Sequence, residues 1–262
     1  MRPDVASRHF EAMGTTCSLF AVDADLAEGE RWIRRTAEKL TRFSPDSELS
    51  QLNAHAGEWH RVSAELESVL RAALDAYAIS AGLVNAAVLP SMTAIGYTRS
   101  LGHGPATATM ERTRPLAPLP DVLEVGAGGA RVAQGTGIDL GGIAKGWMAD
   151  RLCTILGANS LVNLGGDLRA RGEWPVAVAG TTLLLRDQAA ATSSVRRRRW
   201  GEIHHLIDPR TGLPAQTGLD EVSVVTATAL EGEVVAKTAL LLGPEFAPAY
   251  CAANALAWWL GR

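Results

Sequence analysis

The stretch from Gly135 to Arg151 reads GTGIDLGGIAKGWMADR and carries the strongest structural signal in this chain. Five glycines fall within its first twelve positions, and among them stand one carboxylate, Asp139, and one ammonium, Lys145. After Gly142, apolar residues recur at a helical period. The pattern predicts a glycine-rich turn leading into a helix N-terminus, where free N–H groups and the helix dipole favour anions such as phosphate.

Two common phosphate-binding loops do not match this stretch. A P-loop requires Gly-Lys-Ser/Thr, whereas Lys145 precedes its glycine and Trp147 follows that glycine. The dinucleotide-binding fingerprint requires a glycine three positions after Gly137, where this chain has Leu140. Glycine-rich turns without a ligand are common, so a plain strand-to-helix connection stays open as an alternative.

Length and composition set few special constraints. The chain has 262 residues, of which 47% are hydrophobic, which is ample for a packed core. No linker is clear enough to divide it, so we expect a single domain over residues 1–262. Cys17, Cys153 and Cys251 are too few and too widely spaced for a disulfide framework or a zinc site.

The sequence argues against nucleic acid as the main partner and against a membrane-spanning segment. The net charge is −3, and the basic run Arg196 to Arg199 has no interleaved aromatic residues, so we interpret it as a solvated hairpin arm. The first residues lack a signal-peptide apolar run, and no later segment has the length of a membrane span. We therefore predict a cytoplasmic protein with no membrane span.

Periodicity and turn residues predict an irregular alternation of helices and strands. Besides the helix after Gly142, we expect helices over 26–40, 63–81 and 231–242, the last stopped by Gly243 and Pro244 and closing the fold. A strand over 8–22 should break at Met13-Gly14-Thr15. Further expected segments are strands over 122–125, 130–133, 161–164, 175–179, 181–185 and 222–229, an extended segment over 83–90 and a surface loop over 100–121.

Six short motifs, in the same order and at similar spacing, make this chain resemble the ApbE-type FAD:protein FMN transferases. Each motif is weak alone, but six in order are hard to obtain by chance. They are Met13-Gly14-Thr15, the segment from Phe43 to Asn53, the IDLGGIAKGWMAD core of Gly137 to Arg151, LVNLGGD at 161–167, ATS at 191–193 and HLIDPRTG at 205–212.

The resemblance implies a fold and an activity. The fold is an α+β, T-fold-related domain with mixed or antiparallel sheets and packed helices. The activity is transfer of FMN from FAD to a Thr or Ser hydroxyl of an acceptor protein, with release of AMP and with Mg²⁺ on the pyrophosphate. Two alternatives share the fold: a non-catalytic FAD-binding protein, and a metal-dependent FAD pyrophosphatase in which water replaces the hydroxyl.

The resemblance also assigns roles to individual residues. His205 falls on the position proposed as the base for the acceptor hydroxyl, and Gly141, Gly142 and Lys145 are expected near the pyrophosphate. Gly142 and Glu233 fall on metal-binding positions. The positions that contact the flavin correspond to Met13, Phe43, Leu83, Val84, Asn85, Asp139, Lys145 and Leu206.

Two departures from the family pattern concern the metal. The family's FDP triplet is Val84-Asn85-Ala86 here, so a carboxylate has become an amide. On the last helix, Glu233 and Lys237 stand where the family has Asp and Thr, and a protonated lysine binds no metal. We expect Lys237, held by Glu233, to replace part of the charge of Mg²⁺. The alternatives are a weakened metal site, or an ordinary surface Glu–Lys pair.

Overall fold

The computed structural model describes residues 5–99, 104 and 106–262, which form two compact units. The first unit contains the described residues up to 37 together with 144–194 and 218–262, and the second contains 38–143 and 195–217. The single domain expected from the sequence stays a prediction. Two of the four boundaries fall within α1 and at the end of the glycine-rich turn, where no linker composition marks them.

The described residues form seven α-helices and sixteen β-strands. The helices are α1 Leu26–Leu40, α2 Glu48–Ala54, α3 Ala64–Ile79, α4 Leu89–Ala94, α5 Leu119–Val122, α6 Ala144–Leu156 and α7 Ala229–Asn254. The strands are β1 Ala6–Ala12, β2 Thr15–Ala21, β3 His60–Arg61, β4 Leu123–Gly126, β5 Gly129–Val132, β6 Ser160–Leu164, β7 Asp167–Arg171, β8 Glu173–Val178, β9 Thr181–Arg186, β10 Ala189–Ser194, β11 Arg199–Trp200, β12 Ile203–His204, β13 Ile207–Asp208, β14 Leu213–Pro214, β15 Glu221–Thr226 and β16 Ala257–Gly261.

A seven-stranded antiparallel sheet organises the first unit. Its strand order is β1-β2-β6-β7-β10-β15-β16, and both faces are covered. Ala190 packs in the cluster formed with the β8–β9 hairpin, whereas its neighbour Ala191 faces Gly232 of α7. Successive strand residues point to opposite faces, so the hairpin and the helix lie on opposite sides of the sheet. Two covered faces explain why β10 and β15 are small or apolar at nearly every position.

Helices α6 and α7 are tied together within the first unit. A Cβ added at Gly146 would lie 2.7 Å from the carbonyl oxygen of Ala229, so the helices approach with only a hydrogen between them. One turn later, Asp150 accepts hydrogen bonds from the backbone N–H groups of Ala229 (2.8 Å) and Leu230 (2.9 Å). Burial raises the pKa of Asp150. The spacing of Gly146 and Asp150 in the glycine-rich motif therefore serves to cap α7.

The second unit surrounds the glycine-rich turn with small elements. Helices α2 and α3 begin at serine caps, with Ser47 accepting from Ser50 N and Ser63 accepting from Leu66 N. Strands β3, β5 and β4 form a small antiparallel sheet, and β11–β12 and β13–β14 are short hairpins. An apolar cluster of Met92, Ile95, Tyr97 and Ile207 packs against Trp200 and joins α4 to these hairpins.

Several expectations from the sequence are confirmed. Helix α1 spans Leu26–Leu40, and α3 spans Ala64–Ile79 with Ser63 as its cap. The first strand breaks into a β1–β2 hairpin at Met13 and Gly14, whose φ angles of 54° and 68° are both positive, as a type I′ turn requires. The glycine-rich turn leads directly into α6, which begins at Ala144.

Two expected segments are wrong, and the last expected helix is not the closing element. The segment 83–90 is not extended, because bends and a turn lead into α4, whose first turn accommodates Pro90. The strand expected over 222–229 ends at Thr226, since the side chain of Thr228 accepts from Glu231 N and starts α7. The helix expected over 231–242 does end at Gly243, whose φ and ψ angles of 76° and 176° are not helical, but it does not close the fold. A second helical segment of α7 follows from Pro244 to Asn254, and the chain closes on β16.

The described part of the expected loop contains short helices, and the described chain contains three buried cysteines. Within the expected loop over 100–121, a short 3-10 helix spans Met110–Arg112 and is followed by α5, while residues 100–103 and 105 lie outside the described residues. None of the helices described is both long and apolar enough to cross a bilayer. The three cysteines are buried and free, and burial raises the pKa of Cys17 and Cys153 to about 11, so neither is reactive at neutral pH.

The α6–α7 contact yields a test of the fold. Gly146→Ala would gain about 1 kcal/mol of helix propensity but would place its methyl group against rigid backbone, which costs about 1–3 kcal/mol or more. We expect a net loss of unfolding free energy in urea titrations. Gly261→Ala is the control, because its added Cβ meets only ordinary contacts at 3.4 Å or more. Unchanged stability of Gly146→Ala would contradict the close approach.

Candidate functional site

The second unit holds the glycine-rich turn through backbone and side-chain hydrogen bonds. The amide group of Asn53 donates to Ile138 O (2.9 Å) and accepts from Ile138 N (2.8 Å), as a neighbouring strand would. Asp139 N donates to Ala86 O (2.9 Å), and Asp139 Oδ1 accepts from Gly141 N (2.7 Å). Asn53 and Asp139 therefore fix the backbone on which Gly141 and Gly142 are presented.

An acidic side chain already stands at the N-terminus of α6 in the first unit. Gly146 N donates to Glu233 Oε2 at 2.9 Å. The positive end of a helix dipole stabilises a carboxylate at this place in the same way as it would a phosphate. The preference for an anion predicted from the sequence is thus met in part by the chain's own Glu233.

Glu233 belongs to a cluster of four charges in the first unit, in which the two carboxylates are buried and the two ammonium groups are half-buried. Lys145 Nζ contacts Asp167 Oδ2 and lies 3.3 Å from Glu233 Oε1, and Lys237 Nζ lies 3.7 Å from the same oxygen. The side chains of Glu233 and Lys237 are only 4% and 14% exposed. The cluster combines two ammonium groups with two carboxylates, so its formal charge is zero. Because Glu233 is buried and Lys237 is largely shielded from solvent, the alternative of an ordinary surface Glu–Lys pair is wrong.

The two carboxylates of the cluster differ in acidity. Burial alone would raise the pKa of Glu233, but attraction to Lys145 and Lys237 and the hydrogen bond from Gly146 N outweigh it and hold the pKa below its ordinary value. Burial raises the pKa of Asp167 to about 6, because the attraction of Lys145 only partly offsets it and Glu233 adds repulsion. The charge on Glu233 is therefore the more strongly stabilised of the two.

These residues do not fit a magnesium ion at Glu233. Both carboxylate oxygens of Glu233 already face donors, and two ammonium groups lie within 4 Å of them. Mg²⁺ needs unengaged oxygen ligands and is repelled by fixed cations. Across the described ranges, no group of three or more His, Cys, Asp or Glu residues could hold a metal. The donor set at this place suits an ammonium group.

A second ion pair lies in the second unit, beneath Phe43. Arg42 Nε donates to Asp139 Oδ2, and the two side chains are only 6% and 8% exposed. The guanidinium carbon of Arg42 lies 4.3 Å from the ring centroid of Phe43 and 4.7 Å from that of Tyr97. Trp200 extends the aromatic row, 5.5 Å from Tyr97. Phe43 is 41% exposed, so one of these rings is accessible to a ligand.

The remaining predicted flavin contacts lie in different surroundings. Val84 is buried and Leu83 is half-buried. Asn85 donates to Ala117 O (2.9 Å) and accepts from Ala87 N (2.9 Å), so it fastens the segment before α4. A carboxylate could only accept, which gives a physical reason for an amide at this departure from the family pattern. Met13 lies half-buried in the β1–β2 turn of the first unit.

The His204-His205 pair has one structural member and one candidate catalytic member. His204 is buried, its Nε2 donates to Ala215 O (2.9 Å), and its Nδ1 accepts from Leu206 N (3.3 Å). Only the neutral imidazole can do both, and burial lowers the pKa of His204 accordingly. His205 is half-buried, and its backbone N–H donates to Arg198 O (3.1 Å). His204 thus fixes the short connection between β12 and β13, where His205 and Leu206 lie.

Three residues near these groups were missed from the sequence. Asp167 ends the LVNLGGD motif, and its place there was the available signal. Arg42 precedes Phe43, but nothing in the local pattern shows that it pairs with Asp139, 97 positions away. Tyr97 lies in an apolar stretch where no motif marks it. Long-range side-chain pairs of this kind leave no trace in local spacing.

Known proteins are similar to this chain over most of its length. The sequence model described as "ApbE family" matches residues 13–259. A protein named FAD:protein FMN transferase from Klebsiella pneumoniae (strain 342) is 30% identical over 238 residues, which cover 80% of this chain and 72% of that protein. A protein of the same name from Treponema pallidum (strain Nichols) is 30% identical over 263 residues, which cover 86% and 73%.

Solved structures share the fold. The ApbE protein from Thermotoga maritima msb8 matches with a TM-score of 0.85 at 21% identity, covering 98% of this chain and 94% of that one. The apo form of the Pseudomonas stutzeri flavinyl transferase ApbE matches with a TM-score of 0.85 at 22% identity, covering 99% and 93%. The α+β fold predicted from the sequence is confirmed.

The neutral state of His204 predicts a pH dependence of stability. Because its pKa is lowered in the folded protein, the unfolded chain binds a proton more readily below about pH 6.5. Unfolding free energy should therefore fall as the pH drops through this range, and the drop should be smaller in His204→Gln. Urea titrations at several pH values measure it, with the exposed His55→Gln as control. An identical pH slope in wild type and His204→Gln would contradict this assignment.

Proposed function

Because this chain belongs to the ApbE family, we propose that it transfers FMN from FAD to the hydroxyl group of a Thr or Ser in an acceptor protein and releases AMP. The observation that carries the proposal is the match over residues 13–259, which includes every candidate residue from Met13 to Lys237. Relatives with this activity in their names are covered by this chain over more than two thirds of their length.

The reaction needs a base for the hydroxyl proton, in-line alignment of the attacking and leaving oxygens, and a cation beside the phosphates. The acceptor oxygen attacks the phosphorus of the FMN half, the bond to the AMP phosphate breaks, and AMP leaves with the electron pair. We propose that His205 takes the hydroxyl proton, since an imidazole accepts protons near neutral pH. The buried, neutral His204 supports this role, because it binds the backbone directly after His205 at Leu206 N and ties it to Ala215 O.

We assign the pyrophosphate to Gly141, Gly142 and Lys145, and the flavin to Phe43, Asp139, Met13, Leu206 and the segment 83–85. The support is chemical: Asp139 and Asn53 present the glycine backbone in a fixed conformation, and Phe43 has an exposed ring. Gly141 has no room for a side chain, since a Cβ there would lie 2.9 Å from Asp139 Oδ1. Glycine therefore keeps the backbone open to a ligand.

We assign to lysine the positive charge that stabilises the negative phosphate groups. Mg²⁺ is implied by the family, but Glu233 is committed to Gly146 and to two ammonium groups. We propose that Lys237, steadied by Glu233, supplies charge that a metal would otherwise supply. An ammonium group forms strong charge-assisted hydrogen bonds to phosphate oxygens, so it suits this purpose.

Product analysis tests the transfer directly. Wild-type protein incubated with FAD and an ApbE-substrate flavoprotein should yield AMP and a flavin-labelled acceptor. AMP with free FMN would indicate a pyrophosphatase instead, and bound FAD without either product would indicate a flavin-binding protein.

His205→Ala should retain FAD and lose transfer by about 100-fold or more, the range expected for a general base. The exposed His9→Ala is the control and should transfer normally. Unchanged transfer by His205→Ala would remove His205 from the mechanism.

The lysine assignment is tested by binding alone. FAD affinity of the wild type should be the same in EDTA and in Mg²⁺. Lys237→Thr should bind FAD about 10- to 100-fold more weakly in EDTA, as expected for loss of a charge-assisted hydrogen bond, and should recover with Mg²⁺. Lys39→Thr removes a half-exposed lysine paired with Glu65 and is the control. A wild type that needs Mg²⁺ to bind FAD would show that Lys237 does not replace the metal.

A further inference from the structure

Arg42 has a donor that the protein itself does not satisfy. Its side chain is 6% exposed, and Nη2 is buried with no hydrogen-bond acceptor among the described residues. A buried donor on a charged group that lacks an acceptor is costly and uncommon in folded proteins. Arg42 Nε, in contrast, is bonded to Asp139. The Nε side of the guanidinium group is therefore bonded within the fold, and the Nη2 donor is available to a ligand.

The surroundings of Arg42 define what that partner can be. Asp139 already neutralises the guanidinium charge, so a second anion is not required. Phe43 and Tyr97 lie over the group at 4.3 Å and 4.7 Å from its central carbon, and Phe43 itself reaches the surface. The fitting partner is a flat, largely apolar ring that can stack on Phe43 and carries a carbonyl oxygen at its edge.

We propose that Arg42 is a flavin-binding residue whose Nη2 donates a hydrogen bond to a carbonyl oxygen on the pyrimidine edge of the isoalloxazine ring, while its Nε positions Asp139. The proposal rests on the proposed function, which supplies FAD as the ligand. A phenyl ring at the surface turns at little cost, so the incoming flavin uncovers Nη2 by moving Phe43 and then stacks on it. The hydrogen bond then forms in a site closed to water, where it is strong.

The proposal explains why arginine, and not lysine, occupies position 42. A guanidinium group presents several N–H donors in a fixed plane, so it can hold Asp139 with one nitrogen and a ligand with another. It also packs against the faces of two aromatic rings. A lysine ammonium could pair with Asp139 but could not reproduce the second, fixed donor.

Arg42→Lys is the decisive variant. It keeps the charge that the buried Asp139 requires, so we expect it to fold, and it loses the Nη2 donor. FAD affinity, measured by flavin fluorescence, should fall by about 10- to 100-fold. Affinity for ADP, which has the pyrophosphate but no flavin ring, should not change. The midpoint potential of bound flavin should become more negative, because a cationic donor at the carbonyl edge stabilises the reduced anionic ring.

One control and one further variant make the outcome unambiguous. Arg131→Lys alters an exposed arginine of the same unit, paired with Glu124, and should leave all three quantities unchanged. Arg42→Met keeps an apolar stem against the rings and should lose at least as much FAD affinity as Arg42→Lys, provided that circular dichroism shows it folded. Arg42→Lys carries the conclusion if Arg42→Met does not fold.

The outcomes separate this proposal from the function on which it rests. A wild type that fails to bind FAD would overturn the proposed function. A wild type that binds and transfers while Arg42→Lys binds FAD equally well would overturn only the role of Arg42, and would mean that a buried water satisfies Nη2. Equal weakening of FAD and ADP binding would make Arg42 purely structural, and would also overturn its proposed contact with the ring.

Discussion

The carboxylate of Glu233 is the group on which the arrangement of the first unit depends. It accepts from Gly146 N at the start of α6 and faces the ammonium groups of Lys145 and Lys237, while Lys145 also contacts Asp167 at the start of β7. Buried charges are tolerated only when they are paired and hydrogen-bonded. The beginnings of α6 and β7 and the N-terminal part of α7 must therefore meet at one place, and the glycine at position 146 permits that approach.

The ammonium groups of this cluster have fixed positions, because both lysines are anchored on helices. The same ammonium groups that balance Glu233 and Asp167 are positioned by the packing of α6 against α7. The residues that pack α6 against α7 therefore also determine where the ammonium groups lie.

The second unit applies the same principle with a different pair. Arg42 and Asp139 neutralise each other in the interior, and Asp139 in turn holds Gly141 N. Asn53 and Asn85 also hold backbone groups in place, but without a charge. Each amide group donates to one backbone carbonyl and accepts from one backbone N–H. Polar side chains thus shape the turns around the glycine-rich stretch, where no regular ladder of hydrogen bonds is available.

The sequence by itself determined the local elements and the family. Periodicity located α1, serine caps located α3, and six ordered motifs marked the fold and the candidate residues, because each of these signals is short-range. Tertiary structure decided the rest. The continuation of α7 past Gly243, the closing strand β16 and the pairs Arg42–Asp139 and Lys145–Asp167 depend on which distant residues come together. Burial of Glu233 also decided that Glu233 and Lys237 are not a surface pair, which the sequence had left open, since the energy of a charge is set by its surroundings and not by its spacing along a helix.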